Sequence, residues 1–453
     1  MGFMISAHTL QAKTVTIEGP APLPDRVTPL HPPETERLRW DGMSGLYRPD
    51  YGRALTGIMP TILETLGRTR EGFPGLSAYL PDAAPRRAKR ALLLCLDGLG
   101  FKELAQAPRL RSLYERYGTW ITSVFPSITS CALSSMFQAL PPDRHGILGH
   151  YVWKDFPGAV VDMLRMQAAN ARWPLAAAGF DVQSWKREPG LLDTDVGAGL
   201  SSYHLMPFSI VTSGLSTYSY GRSTMIGYLE PLEGFTKAAK LLTDMKEGWV
   251  SLYSATIDTL SHSLGGSSAQ IGLALHQFEA ALAWLVSVLP PHIAEETVLL
   301  LAADHGQTDI RTLLGFAGET RDWMLRHTRA VGFSGRVMHV YLPKGQAPDE
   351  VRAWLCDHVG DAGIVMSFEE AATLTGPAVP AGGNGHGPLT DPAWVRQTLG
   401  DLVVVLRGDY SWDKEGVLPT GKTYTTPLVS QHGGLTWNEM FVPFLCAPLV
   451  QAG

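Results

Sequence analysis

The sequence predicts an α/β protein with a largely parallel sheet flanked by helices and an inserted accessory subdomain. Three observations predict it. Short all-apolar runs recur along the chain, as expected of strands buried on both faces of a parallel sheet. Helix-like stretches separate them. Three of the runs lead to an aspartate, and in such sheets ligands bind beyond the carboxyl ends of the strands.

The elements follow in order. Residues 1–40, with PAPLPD and HPPET, read as an extended arm over the surface. A helix is expected around 53–67 (RALTGIMPTILETLG), started or interrupted by Pro60. The basic stretch PRRAKR (85–90) leads into ALLLCLDGLG, a buried strand ending at Asp97. WVSLYSATID (249–258) and TVLLLAADHG (297–306) repeat the pattern, and MFVPFLCAP (440–448) is a further apolar strand. A helix fits 267–288. Two regions interrupt this core. Residues 150–245 are rich in Trp, Gly, Ser and Tyr. Residues 325–425 hold a strand (VMHVYLP), a helix (APDEVRAWLCDHV), a Gly/Pro-rich loop (GPAVPAGGNGHGP) and a strong strand (DLVVVLR). The expected division is 1–85 as arm and packing helix, 86–324 as catalytic core, 325–425 as accessory or cap insertion, and 426–453 as a return to the core. No internal repeat of fixed period is visible.

Composition narrows the function. The 453 residues are 45% hydrophobic and 18% charged, enough apolar surface for a large core. The net charge is −6, from 37 basic and 43 acidic residues, with no basic block to hold a nucleic-acid polymer. A small phosphorylated substrate is compatible with this balance, because bound metals supply local positive charge. The N-terminus lacks a secretory signal pattern, and the Gly2–Ser6 match to a myristoylation pattern is too short to carry weight. No apolar run approaches the ~20 residues of a membrane span. Cys95, Cys131, Cys356 and Cys446 form no CxxC pair. The expectation is therefore a reduced, cytoplasmic protein of unspecified oligomeric state.

The chemistry sits in five segments: LCLDGLG with Asp97, FPSITSCALSSMFQALPPDRHGI with Thr129, ATIDTLSHSLGG with Asp258 and His262, AADHGQTD with Asp304 and His305, and SQHGGLTW with His432. Asp258 and His262 are four apart, so one helical turn puts both in reach of one ion. Asp304 and His305 sit where a strand bends into a loop. Three Asp and three His suit two divalent metals, zinc first and manganese second. Thr129 opens a helix, whose free N–H groups favour a phosphoryl anion. A threonine hydroxyl is a weak nucleophile, and coordination to a metal would lower its pKa.

In this order, Asp, Thr, Asp-x-x-x-His, Asp-His-Gly and a late His-Gly resemble the nucleotide pyrophosphatase/phosphodiesterase branch of the alkaline phosphatase superfamily. Residues 125–147 align with that branch without a gap, and Thr129 falls on its nucleophile. The resemblance implies an alkaline-phosphatase-like fold. It implies one metal on Asp258, His262 and His432, and a second on Asp97, Thr129, Asp304 and His305. It implies cleavage of phosphodiester or pyrophosphate bonds through a phosphothreonine. Three departures stand out. Ala132 replaces the Asn found three residues after the nucleophile in nucleotide-cleaving members. No counterpart can be placed for the Arg that gives alkaline phosphatases their monoester preference. Cys131 lacks the x-Pro-x-Arg that follows a sulfatase nucleophile.

Plainer readings compete. Ser127, Ser130 and Ser134 rival Thr129, although hydroxyls near a helix start most often serve as caps. His145, His150, His204, His339 and His386 lack a ligand partner at useful spacing and read as structural. The 214–228 Tyr/Ser cluster suits a pocket wall and a packed loop equally. The rival functions are a phosphomonoesterase, a phosphonate hydrolase, a phosphotransferase resembling metal-dependent phosphoglycerate mutases, and a non-catalytic binding protein with a degenerate site.

Overall fold

The computed structural model describes residues 13–17, 33–40, 45–171, 173–377, 392–414, 417 and 428–453. Most of the expected N-terminal arm, the Gly/Pro-rich loop and His386 lie outside the described residues.

Among the described residues the main sheet has seven strands. Their order is Gly118–Thr122, Phe441–Pro448, Thr297–Ala302, Arg90–Leu96, Gly248–Ser254, Ser201–Pro207 and Thr224–Tyr228. The central pairings run parallel, with Leu93 opposite both Leu300 and Ser251. Phe441–Pro448, expected only as another apolar strand, runs antiparallel to both neighbours. The Arg90–Leu96, Gly248–Ser254 and Thr297–Ala302 strands are buried at every position, which explains their unbroken apolar sequences.

The expected 53–67 helix is shorter. Two 3-10 turns precede the helix Ile58–Thr65, and Pro60 sits in its first turn, where a missing N–H costs nothing. The long helix Ala269–Val288 bears on the expectation of no membrane span. By length and composition it is apolar enough to cross a membrane, with 44% of its most apolar window buried. Its Ile271, Leu275, Phe278, Leu282 and Leu285 belong to the main core. Core helices commonly have this composition, so the feature is weak evidence for a span.

The 150–245 region is split: its Ser201–Pro207 and Thr224–Tyr228 extend the main sheet, and its first part joins the 325–425 region. Tyr151–Lys154, Ala159–Asp162 and Gln167–Ala168 continue an antiparallel sheet whose other strands are Ala330–Ser334, Val337–Tyr341, Leu402–Leu406 and Gly363–Ser367. The join is Phe333 opposite Tyr151. This second sheet has its own apolar cluster, including Phe333, Met338, Val404, Leu355 and Trp412.

Candidate active site

The site is built at the carboxyl ends of the central strands. Asp97 follows the Arg90–Leu96 strand, and Gly98 then turns with φ +77. A Cβ at Gly98 would stand 3.1 Å from the Asp258 Cα, so glycine is needed for this close approach. Asp304 and His305 follow the Thr297–Ala302 strand. The Asp304 carboxylate accepts from the backbone N–H of Gly98 (3.2 Å) and of His305 (3.0 Å). Asp258 and His262 lie on the helix Thr256–Leu264, one turn apart as the spacing predicts. His432 comes from the loop that returns to the sheet.

These residues form two groups whose ligand atoms lie within 4.8 Å of one another: Asp97, Asp304 and His305, and Asp258, His262 and His432. The first group is buried. The second is more open, with Asp258 and His262 side chains 15% and 20% exposed. The groups adjoin, because the His305 and His432 rings stack with centroids 3.5 Å apart.

Protonation states follow from the hydrogen bonds. The Nδ1 of His262 faces the Ser430 carbonyl at 2.7 Å, that of His305 faces the Gly306 carbonyl at 3.2 Å, and that of His432 faces the Ser127 carbonyl at 3.1 Å. A carbonyl only accepts, so each Nδ1 carries a proton and a neutral ring leaves its Nε2 a bare lone pair. Yet each Nε2 points at carboxylates. His305 Nε2 is 3.4 Å from Asp97 and 3.3 Å from Asp304; His262 and His432 Nε2 are 3.3 and 3.4 Å from Asp258. Such facing acceptors are satisfied by a cation, or by a shared proton, between them. Asp97 Oδ1 and Asp304 Oδ2 are buried without a hydrogen-bond partner, as expected of waiting metal ligands. The donor set therefore fits divalent metals of the zinc type.

The electrostatics agree. Burial first, then Asp304 and Asp258, push the Asp97 carboxyl well above its ordinary range. Burial also raises Asp304, with the neighbouring His305 opposing it. Burial, followed by the charges of His305 and His262, holds His432 far below an ordinary histidine. Negative charge on the two carboxylates is thus costly until a cation compensates it, while His432 favours its neutral form.

Thr129 opens the helix Thr129–Gln138, and its Oγ1 is 3.1 Å from His305 Nε2. The competing hydroxyls turn elsewhere. Ser127 donates to the Gly434 carbonyl and Ser130 to that of Gly149, while Ser134 pairs with Ser219; all three serines are buried. Ala132 is fully buried in the same helix.

The remaining histidines divide. His145 is buried against Ser135 and the Ile147 N–H, and burial brings it down to about 3. His204 and His339 are buried within their own hydrogen bonds, at about 3 and about 4. His150 has its backbone N–H on Ser334 and its Nε2 3.9 Å from Asp162, and it belongs to neither cluster. In the 214–228 cluster, Tyr218, Ser219 and Tyr220 are buried packing.

Sequence reading missed the supporting residues. Tyr253 donates its hydroxyl to Asp97. Gln307 donates to Asp258 Oδ1 and accepts from Ser430. Gln307 lies in the AADHGQTD segment, and its complete burial beside three ligands is the feature that marks it.

Comparison with known proteins places the chain in a family. The family model of type I phosphodiesterase / nucleotide pyrophosphatase matches residues 91–416. Murine ectonucleotide pyrophosphatase / phosphodiesterase 5 is similar in structure at TM-score 0.56 and 16% identity, over 79% of this chain and 87% of that one. An inactive form of that murine protein, in complex with AMP, matches at TM-score 0.55 and 16% identity, over 79% and 88%. Phosphonoacetate hydrolase from Sinorhizobium meliloti 1021, in complex with phosphonoformate, matches at 0.54 and 18% identity, over 80% and 91%. No curated protein sequence matches. With the family model spanning most of its length, the chain belongs to the type I phosphodiesterase / nucleotide pyrophosphatase family of the alkaline phosphatase superfamily, a family of phosphoester-cleaving hydrolases.

Proposed function

We propose that the protein is a metal-dependent hydrolase that cleaves phosphodiester or pyrophosphate bonds of a small substrate, with Thr129 as nucleophile. One observation carries the reading: of the hydroxyls at this helix start, Thr129 alone faces the carboxylate–imidazole cluster, at 3.1 Å from His305 Nε2. Thr129 Oγ1 attacks phosphorus, the bond to the leaving oxygen breaks, and water later releases the phosphoryl group from the threonine. The start of the helix Thr129–Gln138 presents backbone N–H groups to the phosphoryl oxygens.

Asp258, His262 and His432 would hold one divalent ion, and Asp97, Asp304 and His305 with Thr129 another. When bound, zinc, or alternatively manganese, lowers the hydroxyl pKa and neutralises phosphoryl charge. Four unpaired cysteines support a reducing, cytoplasmic setting. The AMP complex of the murine relative supports a nucleotide screen.

The test is hydrolysis of bis-p-nitrophenyl phosphate against p-nitrophenyl phosphate, on chelated protein with zinc or manganese restored. Metal-restored preference for the diester is expected. Preference for the monoester, or for phosphonoacetate in a parallel assay, would move the substrate class. No activity with either metal would count against catalysis.

A further inference from the structure

The second sheet contributes no ligand to either cluster, yet its hairpin touches one of them. Between Ala330–Ser334 and Val337–Tyr341 the chain turns at Gly335 and Arg336. The Arg336 N–H donates to the His432 carbonyl at 3.0 Å. Gly335 has φ +60, and a Cβ there would stand 1.9 Å from that carbonyl oxygen. Gly433, at φ +107, meets the Ser334 carbonyl just as closely, since its Cβ would be 2.2 Å away. Two glycines are therefore required for the hairpin and the His432 loop to meet.

A buried ion pair locks this meeting. Arg336 and Glu439 are both fully buried and bonded to each other. The Arg336 guanidinium also donates to the Tyr410 and Gly408 carbonyls at 2.8 and 2.7 Å. Glu439 accepts from the Gly434 N–H at 2.8 Å and from Thr436. The His432–Glu439 loop is thereby tied at both ends to the second sheet. On its other side the His432 Nδ1–H donates to the Ser127 carbonyl, and its ring stacks on His305. The Asp97, Asp304 and His305 cluster meets the same loop through main chain, where the Gly306 N–H donates to the Glu439 carbonyl at 3.1 Å, but no residue of the second sheet bonds to it in the contacts above. It stands on the central strands.

We infer that the Gly335–Arg336 turn and Glu439 are a clamp that positions His432, so the second sheet sets the affinity of the Asp258–His262–His432 site and not of its neighbour. Arg336 and Glu439 are positioning residues; neither side chain reaches the reacting atoms. The inference rests on the metal-binding reading above. It makes the two sites separable, because disturbing the second sheet should loosen one ion and leave the other.

Zinc titration of the chelated full-length chain tests this, with bound metal counted directly. Wild type should take two ions. Glu439→Gln keeps the volume but removes the charge, and Gly335→Ala pushes a methyl group at the His432 carbonyl. Each should weaken one ion by roughly 10–100-fold, the range seen when outer-shell partners of metal ligands are lost, and leave the other unchanged. Repeating the titration in Asp304→Ala, which keeps only the Asp258 cluster, identifies the weakened ion. Equal loss of both ions, or no change in either, would overturn the clamp alone. Wild type that binds no zinc would overturn the metal reading and the clamp with it. Hydrogen exchange on wild type needs no variant. Zinc should slow exchange at the amides of Arg336 and Gly434, and an unaltered rate there would refute the coupling.

Discussion

The two candidate metal-ligand clusters are neighbours built in opposite ways. Asp97, Asp304 and His305 stand where adjacent parallel strands end, and their side chains are buried. Asp258 and His262 ride on a surface helix, and His432 on a returning loop 170 residues after His262 in sequence. The first cluster inherits its geometry from the strand register, which fixes Ala302 opposite Cys95 two residues before each aspartate. The second depends on three elements docking correctly. Strand ends give rigidity; a helix and a loop give exposure and access for solvent and substrate. A site that must both hold a nucleophile and release a product can use both kinds of construction.

The largest expected effect tests what the clusters share. Thr129→Ala should lower turnover by roughly 10⁴-fold or more, the scale of losing a catalytic nucleophile, with the bound-metal count unchanged. Retained activity would move the nucleophile elsewhere. The next effect separates the clusters. Asp304→Ala should remove one ion and most activity, and should also lower thermal stability, because Gly98 and His305 lose their buried acceptor. His262→Ala should remove the other ion with a smaller loss of stability, because that side chain is partly exposed. Equal melting temperatures for the two variants would break the contrast drawn here.

Smaller still is the effect of the support around the exposed cluster. Gln307 links Asp258 to Ser430, whose carbonyl in turn fixes the His262 tautomer. Gln307→Leu should weaken one ion by about 10-fold, the low end for an outer-shell partner, with the first cluster unaffected. Metal titration on the folded variant decides this.

What could be read in advance follows the same contrast. The buried strands announce themselves by unbroken apolar runs, and a polar residue ending such a run, as Asp97 and Asp304 do, stands out. Asp258 and His262 were legible because helical spacing is regular. Two strands of the second sheet, in VMHVYLP and DLVVVLR, were legible too; its junction was not, because Tyr151–Lys154 and Ala330–Ser334 are far apart in sequence, and an antiparallel strand carries no mark of its partner. The carbonyls that set the three histidine tautomers are backbone atoms and have no signature in side-chain sequence at all.

A final experiment acts on the second sheet without touching either cluster. Lys154 is buried at the end of the Tyr151–Lys154 strand, near the Trp185 and Trp394 rings, with the Thr398 hydroxyl at 3.2 Å. Burial, aided by the nearby Arg187 charge, brings its ammonium down to about 7 from 10.5. Above 10.5 the lysine is neutral whether the chain is folded or unfolded. As pH falls from 10.5 to 7 the unfolded chain takes up a proton that the folded chain refuses, so stability drops across that window and levels off below it. Lys154→Met removes this proton. The variant should therefore gain most over wild type at pH 7 and progressively less toward pH 10, read as the difference in melting temperature. Its metal affinities should match wild type, because Lys154 lies away from the Gly335–Arg336 turn in sequence and bonds to neither His432 nor Glu439 in the contacts above. A gain that does not shrink with rising pH would mean that packing, not charge, sets the cost of this lysine.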